Sequence, residues 1–82
     1  MSADTIRAAL LRVLTSIAPE TDPATLDPGA ALREELDLDS MDWLAFVQGV
    51  RRELGVEIPE QEYRHLRSLD DSVAWLQQRV PA

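Results

Sequence analysis

The sequence predicts an all-α fold: a small four-helix bundle with three longer helices, one short helix, and a long loop between helices one and two. Three observations predict it. Apolar residues recur at i, i+4, i+7 and i+11 near both ends of the chain, which places one buried stripe on each helix. Helix start and stop residues bracket those periodic stretches. No stretch carries a strand signal worth the name. With 82 residues, 45% hydrophobic and 28% charged, the chain has room for one core, so residues 1–82 form a single domain. A domain of this size buries only about 60 to 65% of its unfolded surface, and its stability should be modest.

The first helix carries Ile6, Leu10, Val13 and Ile17 on one stripe. Ser2 or Asp4 can cap its start, and Pro19 lies just beyond its end. The following PETDPATLDPGA holds three prolines and a glycine in twelve residues, which is turn chemistry. A loop this long in so small a domain is either functional or poorly ordered. Leu26 and Leu32 are its expected anchors, and ALREEL can form one helical turn within it.

The next main helix should run from Ser40 to Leu54, with Asp39 as N-cap, Asp42 as the acid of a capping box, and Gly55 ending it in the left-handed conformation. Wound at 100° per residue, Trp43, Phe46, Val47, Val50 and Leu54 share the core face. Met41, Leu44 and Gln48 fall opposite, flanked by Ala45, Arg51 and Arg52. Gly49 inside the helix costs roughly 1 kcal/mol relative to alanine, so close packing or room for a ligand must account for it. VEIP reads as extended, with Val56 and Ile58 tucked inward. Pro59 can open a short helix, PEQEYRHL. Ser68 with Asp71 caps a last helix bearing Leu69, Val73, Leu76 and Val80, and Pro81 stops it.

Charge is concentrated in one segment. The net charge is −7, and residues 20–42 hold eight acids against Arg33 alone, while the remainder balances. Such a field attracts basic protein surfaces and repels nucleic acid and anionic lipid, so nucleic acid is not expected as a partner. There is no cysteine, hence no disulfide, no thiolate metal site and no thiol nucleophile of the chain's own. No apolar run is long enough to span a membrane. The N-terminus lacks the apolar region and cleavage site of a signal peptide, so a cytoplasmic location is expected.

Enzyme chemistry finds little support. A serine hydrolase needs a base and an oxyanion hole, usually announced by G-x-S-x-G; here Leu38 and Asp39 precede the serine. The one histidine, His65, reads as a solvated surface residue. Asp37, Asp39 and Asp42 lack the intervening ligand and glycine of a calcium loop, so no metal site and no catalytic residue is assigned. On the residues alone Ser40 has two readings: with Asp39 it merely caps a helix, or it is a substrate rather than a catalyst. It would stand exposed at a helix start, where backbone N–H groups tolerate a phosphate, with acids around it to guide a basic enzyme and Met41 and Leu44 beside it as an apolar anchor.

The stretch LREELDLDSMDWLAFVQGVRRELGVEIPEQE resembles the acyl carrier protein family. In that family an acidic loop ends in Asp-Ser-Leu or Asp-Ser-Met at the start of the second helix, and Glu-Ile-Pro follows that helix at the spacing of Glu57-Ile58-Pro59. The likeness is strongest from Leu32 to Glu62 and extends more weakly over nearly the whole chain. It implies that Ser40 receives 4′-phosphopantetheine from coenzyme A, in a Mg²⁺-dependent reaction run by a separate phosphopantetheinyl transferase. The chain would then be no enzyme but a monomeric carrier of acyl thioesters, visited by acyl-loading and acyl-processing enzymes with basic docking surfaces. Asp39, Met41, Asp42 and Leu44 would meet those partners, and Trp43, Phe46, Val47 and Val50 would line an acyl cavity.

Two departures stand out. The family often has glycine two residues before the aspartate, where this chain has Asp37. Family members also tend to carry glutamates where this chain has Ala45, Arg51 and Arg52, which implies a dedicated partner set in a specialised fatty-acid, polyketide or lipid pathway. The competing readings are an aminoacyl or peptidyl carrier, which usually presents Gly-Gly-x-Ser, and an unmodified acidic adaptor that binds a basic partner through residues 20–42.

Overall fold

The computed structural model describes residues 1–80, and among them it contains helices and turns but no strand. The helices are α1 (Ala3–Ile17), α2 (Leu32–Glu35), α3 (Ser40–Leu54) and α4 (Leu69–Gln77), with a 3-10 helix at Glu60–Leu66 between the last two. Three longer helices thus carry the bundle, and two short pieces close its ends.

Local chemistry sets most of the boundaries. At the start of α1, the Ser2 hydroxyl accepts from the Thr5 N–H at 3.1 Å, so Ser2 rather than Asp4 is the cap. The helix ends at Ile17 ahead of Pro19, and the Ala18 N–H closes the last turn on the Leu14 carbonyl at 2.8 Å. Gly55 ends α3 with φ of 65°, a conformation that costs a residue without Cβ nothing.

One core joins these elements. It draws Ile6, Leu10, Val13 and Leu14 from α1, Phe46, Val47, Val50 and Leu54 from α3, and Leu69, Val73, Trp75 and Leu76 from α4. Val56, Ile58 and Leu66 fill in from the connection. Each such side chain contributes about 1.5–3 kcal/mol when fully buried. Helix α1 packs against both α3 and α4, and Gly49 explains how closely it approaches α3. A Cβ on Gly49 would stand 2.6 Å from Val13 Cγ1, and Val13 is a β-branched side chain with little rotamer freedom. Of the two reasons the sequence offered for this glycine, close packing is the one that applies.

The long loop is a chain of turns. Asp22 Oδ1 accepts from the Ala24 N–H at 3.0 Å, and Asp27 Oδ1 from the Gly29 N–H at 2.9 Å. Leu26 packs half-buried against the core and Leu32 is fully buried. Two backbone bonds tie this region to the start of α4: Leu32 N–H to the Arg67 carbonyl at 2.7 Å, and Asp70 N–H to the Pro28 carbonyl at 2.9 Å.

The short helix expected after Pro59 is present and winds as a 3-10 helix, its first bond running from the Glu62 N–H to the Pro59 carbonyl at 2.8 Å. Two expectations need correcting. The last helix stops at Gln77, and the chain tightens beyond it, with the Arg79 and Val80 N–H groups both reaching the Leu76 carbonyl at 2.9 Å. Val80 still reaches the core, while Pro81 lies outside the described residues. His65 is half-buried rather than solvated: its ring stacks on Trp75 at 5.6 Å, and its Nε2 lies 3.0 Å from Glu62 Oε2.

Candidate functional site

The approach to Ser40 begins at α2. Three backbone bonds close that single turn: Leu36 N–H to the Leu32 carbonyl at 3.0 Å, Asp37 N–H to Glu34 at 3.4 Å, and Leu38 N–H to Arg33 at 2.8 Å. The last two form the paired closure of a helix end whose following residue turns left-handed. That residue is Asp37, at φ of 52°, a region that glycine enters freely and that aspartate tolerates better than most residues. Leu32 and Leu38 flank the turn and both enter the core. The backbone reversal therefore fixes where the next helix starts. The position where the resemblance expects glycine is the one that needs a left-handed residue.

Helix α3 is capped without using its serine. Asp39 Oδ1 accepts from the Asp42 N–H at 2.8 Å, and Asp42 Oδ2 accepts from the Asp39 N–H at 3.3 Å. The reciprocal pair satisfies two N–H groups that a helix start leaves orphaned. Ser40 is the first residue inside the helix and is exposed. Among the described residues its hydroxyl has no hydrogen-bond partner, and neither do the N–H groups of Ser40 and Met41. The hydroxyl is idle, and it stands at the positive end of a fifteen-residue helix beside two free donors.

Met41 is 80% exposed and Leu44 47%, so two large apolar side chains face outward within one turn of Ser40. On the opposite face Phe46, Val47 and Val50 are buried. Trp43 departs from them. It is half-buried at the edge of the core, 5.3 Å from the Phe46 ring, with the Arg33 guanidinium 5.9 Å from its centroid. The helical wheel gave its direction but not its depth, because only α2 and the 3-10 helix flank it at this end. Further along, Arg51 pairs with Glu57 at 3.1 Å, while Arg52 has no ion pair among the described residues.

The eight acids of residues 20–42 form no ion pair among the described residues. Nor is any group of three or more His, Cys, Asp or Glu residues there arranged to hold a metal ion. No helix among them is long and apolar enough to cross a membrane.

Comparison with known proteins matches residues 4–76 to the family described as the phosphopantetheine attachment site. The chain is 33% identical over 61 residues to an acyl carrier protein of Thermosynechococcus vestitus, covering 74% of this chain and 75% of that one. The chain belongs to the acyl carrier protein family. An acyl carrier protein of Phenylobacterium zucineum is 29% identical over 63 residues, 77% of this chain and 80% of its own length. A mitochondrial acyl carrier protein of Neurospora crassa is 25% identical over 76 residues, 93% of this chain but 57% of that longer one. The prosthetic group of the family is 4′-phosphopantetheine. An exposed, unbonded hydroxyl beside two free N–H donors suits its phosphate.

Proposed function

We propose that this acyl carrier protein bears its phosphopantetheine on Ser40 and carries acyl groups for a dedicated set of enzymes in a specialised fatty-acid, polyketide or lipid pathway. The observation that carries the assignment is the division of labour at the start of α3. Asp39 and Asp42 cap the helix through each other, which leaves the serine oxygen free to bond the phosphorus of coenzyme A that carries the pantetheine, as the pyrophosphate bond breaks and adenosine 3′,5′-bisphosphate leaves. Both carboxylates are engaged in that box, and neither hydrogen-bonds the hydroxyl, so the proton leaving Ser40 goes to a base of the visiting transferase. The bound arm supplies the one thiol in a chain without cysteine, and acyl groups ride on it as thioesters.

Asp39, Met41, Asp42 and Leu44 then form the surface that partners meet, acidic at the rim and apolar at the centre. Trp43, Phe46, Val47 and Val50 lie below it on the inner face of the same helix and would line the space an acyl chain enters. Because the last three are closed into the core, admitting a chain requires α3 to shift from its neighbours. Arg51 and Arg52 at the far end of α3 support partners that are basic where they meet Ser40 and not basic one helix length away. The protein is read as a monomer of the cytoplasm.

The test is intact mass after incubation with coenzyme A, Mg²⁺ and a broad-specificity phosphopantetheinyl transferase. One phosphopantetheine should be gained, should map to the peptide containing Ser40, and should be absent in Ser40→Ala. No gain beside a competent control carrier would leave the chain an unmodified acidic adaptor. Binding to housekeeping fatty-acid synthase components as tight as that of their own carrier would sink the dedicated-partner reading.

A further inference from the structure

Among the described residues, three hydrogen-bonding side chains without a hydrogen-bond or ion-pair partner line one groove near Ser40. The groove, of about 340 Å³, is formed by Ala31, Arg33, Glu34, Trp43, Tyr63 and Arg67. Apart from the approach of Arg33 to the Trp43 ring, the side chains of Arg33 and Arg67 and the Tyr63 hydroxyl have no hydrogen bond or ion pair among the described residues. Arg7, Arg12 and Arg51 each hold a carboxylate, whereas Arg33 and Arg67, like Arg52, Arg64 and Arg79, hold none among the described residues; Arg33 and Arg67 stand so within one groove. Glu34 lines the same groove yet pairs with neither arginine. The groove therefore offers positive charge at the edge of the segment that carries the negative imbalance, Arg33 from within it and Arg67 from outside.

Its place along α3 matters equally. Trp43 follows Ser40 by three residues, so the two are neighbours on the helix surface, with Cβ atoms about 5–6 Å apart. A group attached to the serine oxygen begins where this groove begins. Two guanidiniums and a phenol favour a ligand rich in anionic and carbonyl oxygens, and the indole wall favours a compact apolar unit beside them. A phosphopantetheine arm has those parts in that order from its point of attachment: a phosphodiester, a branched apolar unit and amide carbonyls.

We infer that this groove is the resting place of the proximal arm, with Arg33 and Arg67 on its acceptor oxygens and Trp43 against its apolar unit. Arg33, the one base among residues 20–42, then offsets the phosphodiester that attachment adds beside Asp37, Asp39 and Asp42. The inference rests on attachment at Ser40, and its test is arranged so that the two can fail separately.

Loading is first verified by intact mass, so a failure there counts against the attachment site alone. On verified holo protein labelled with ¹⁵N, the Nε–H signals of Arg33 and Arg67 and the indole signal of Trp43 should shift relative to the apo form. Those of Arg12, Arg64 and Trp75 should stay in place. In the loaded double variant Arg33→Gln/Arg67→Gln, the Trp43 shift should fall at least twofold, and Tyr63→Phe should reduce it by less. Unmoved arginine signals in a fully loaded protein would overturn the inference, as would a Trp43 shift of equal size in the double variant. Should the double variant lose its folded spectrum, the single variants Arg33→Gln and Arg67→Gln are read by the same criterion.

Discussion

Two helices of this protein start with a serine and an aspartate within three residues of each other, and they use them in opposite ways. At α4, Ser68 is the cap: its hydroxyl accepts from the Asp71 N–H at 3.0 Å, it is 2% exposed, and its carbonyl takes the Ser72 hydroxyl at 2.7 Å. At α3, Asp39 holds the capping position and Ser40 falls one residue further on, exposed and unbonded. The residue types are the same. A shift of one position relative to the helix boundary turns a serine from a brace into an accessible nucleophile. The acids differ as well. Asp70, two residues after Ser68, is paired with Arg7 at 3.3 Å, whereas among the described residues Asp37, Asp39 and Asp42 around Ser40 have no basic partner.

The most decisive way to break this contrast is to remove each hydroxyl in turn. Ser40→Ala should abolish gain of phosphopantetheine completely and change unfolding free energy by less than about 0.5 kcal/mol, as for surface sites outside caps and cores. Ser68→Ala should leave the mass gain intact and lower stability by about 1–2 kcal/mol, through a lost cap and a stranded N–H. Urea unfolding and intact mass read both effects. A Ser40→Ala protein destabilised by more than about 1 kcal/mol would show that this hydroxyl braces the helix after all.

If α3 needs no serine to hold its start, its position must come from contact, and Gly49 is where that contact is tightest. Gly49→Ala adds helix propensity worth about 1 kcal/mol, yet it drives a methyl into Val13. Overpacking of this kind costs about 1–3 kcal/mol, so the expected net result is destabilisation of about 1–2 kcal/mol or less. Stabilisation by the substitution would mean that α1 and α3 have slack between them. Ser40 would then sit on a looser helix than Ser68 does.

Much of this was legible in the sequence, for a definite reason. Asp39, Asp42 and Gly55 act on backbone groups within four residues of themselves, so the limits of α3 follow from local chemistry. Ser68 and Asp71 place the start of α4 in the same way, and periodicity identifies Phe46, Val47 and Val50 as core. Depth is not local. Trp43 shares their direction but sits at the edge, and His65 is half-buried because Trp75, ten residues on, supplies a face to stack against. Pro59 announces the short helix that follows it but not its 3-10 winding, and the stop at Gln77 carries no cap residue that a reader could use. The end of α2 was half legible: Asp37 marked a departure from glycine, but the left-handed turn that gives the departure meaning depends on bonds from residues 37 and 38 back to 34 and 33. The groove of Arg33, Tyr63 and Arg67 joins two segments far apart in sequence, and periodicity cannot bring them together.

Asp37 sharpens the comparison further, because it sets where the Asp39 cap falls. Aspartate at φ of 52° bears a steric cost that glycine avoids, offset in part by the extra freedom glycine gives the unfolded chain. Asp37→Gly also removes one uncompensated acid. The expected outcome is stabilisation of about 0.5–1 kcal/mol in urea unfolding, with phosphopantetheine gain unchanged. Destabilisation would mean that the carboxylate itself holds the turn, a role that no hydrogen bond or ion pair of the Asp37 side chain supplies among the described residues.

The smallest expected effect is on charge. Raising ionic strength from about 0.01 M to about 0.1 M shortens the Debye length from about 30 Å to about 10 Å. The acids of residues 20–42 repel one another without local compensation, so screening should stabilise the fold by a few tenths of a kcal/mol, or about 1–3 °C in Tm. Screening also weakens Arg7–Asp70, but that pair is partly exposed and exposed pairs contribute little. Repulsion around α3 should therefore outweigh attraction at α4, and Tm should rise with salt. A falling Tm would mean that the paired Asp70 at the start of α4 matters more to the fold than the unpaired acids at the start of α3. The crowding of charge around Ser40 would then cost the protein nothing measurable, and its place there would be explained by the partners it attracts.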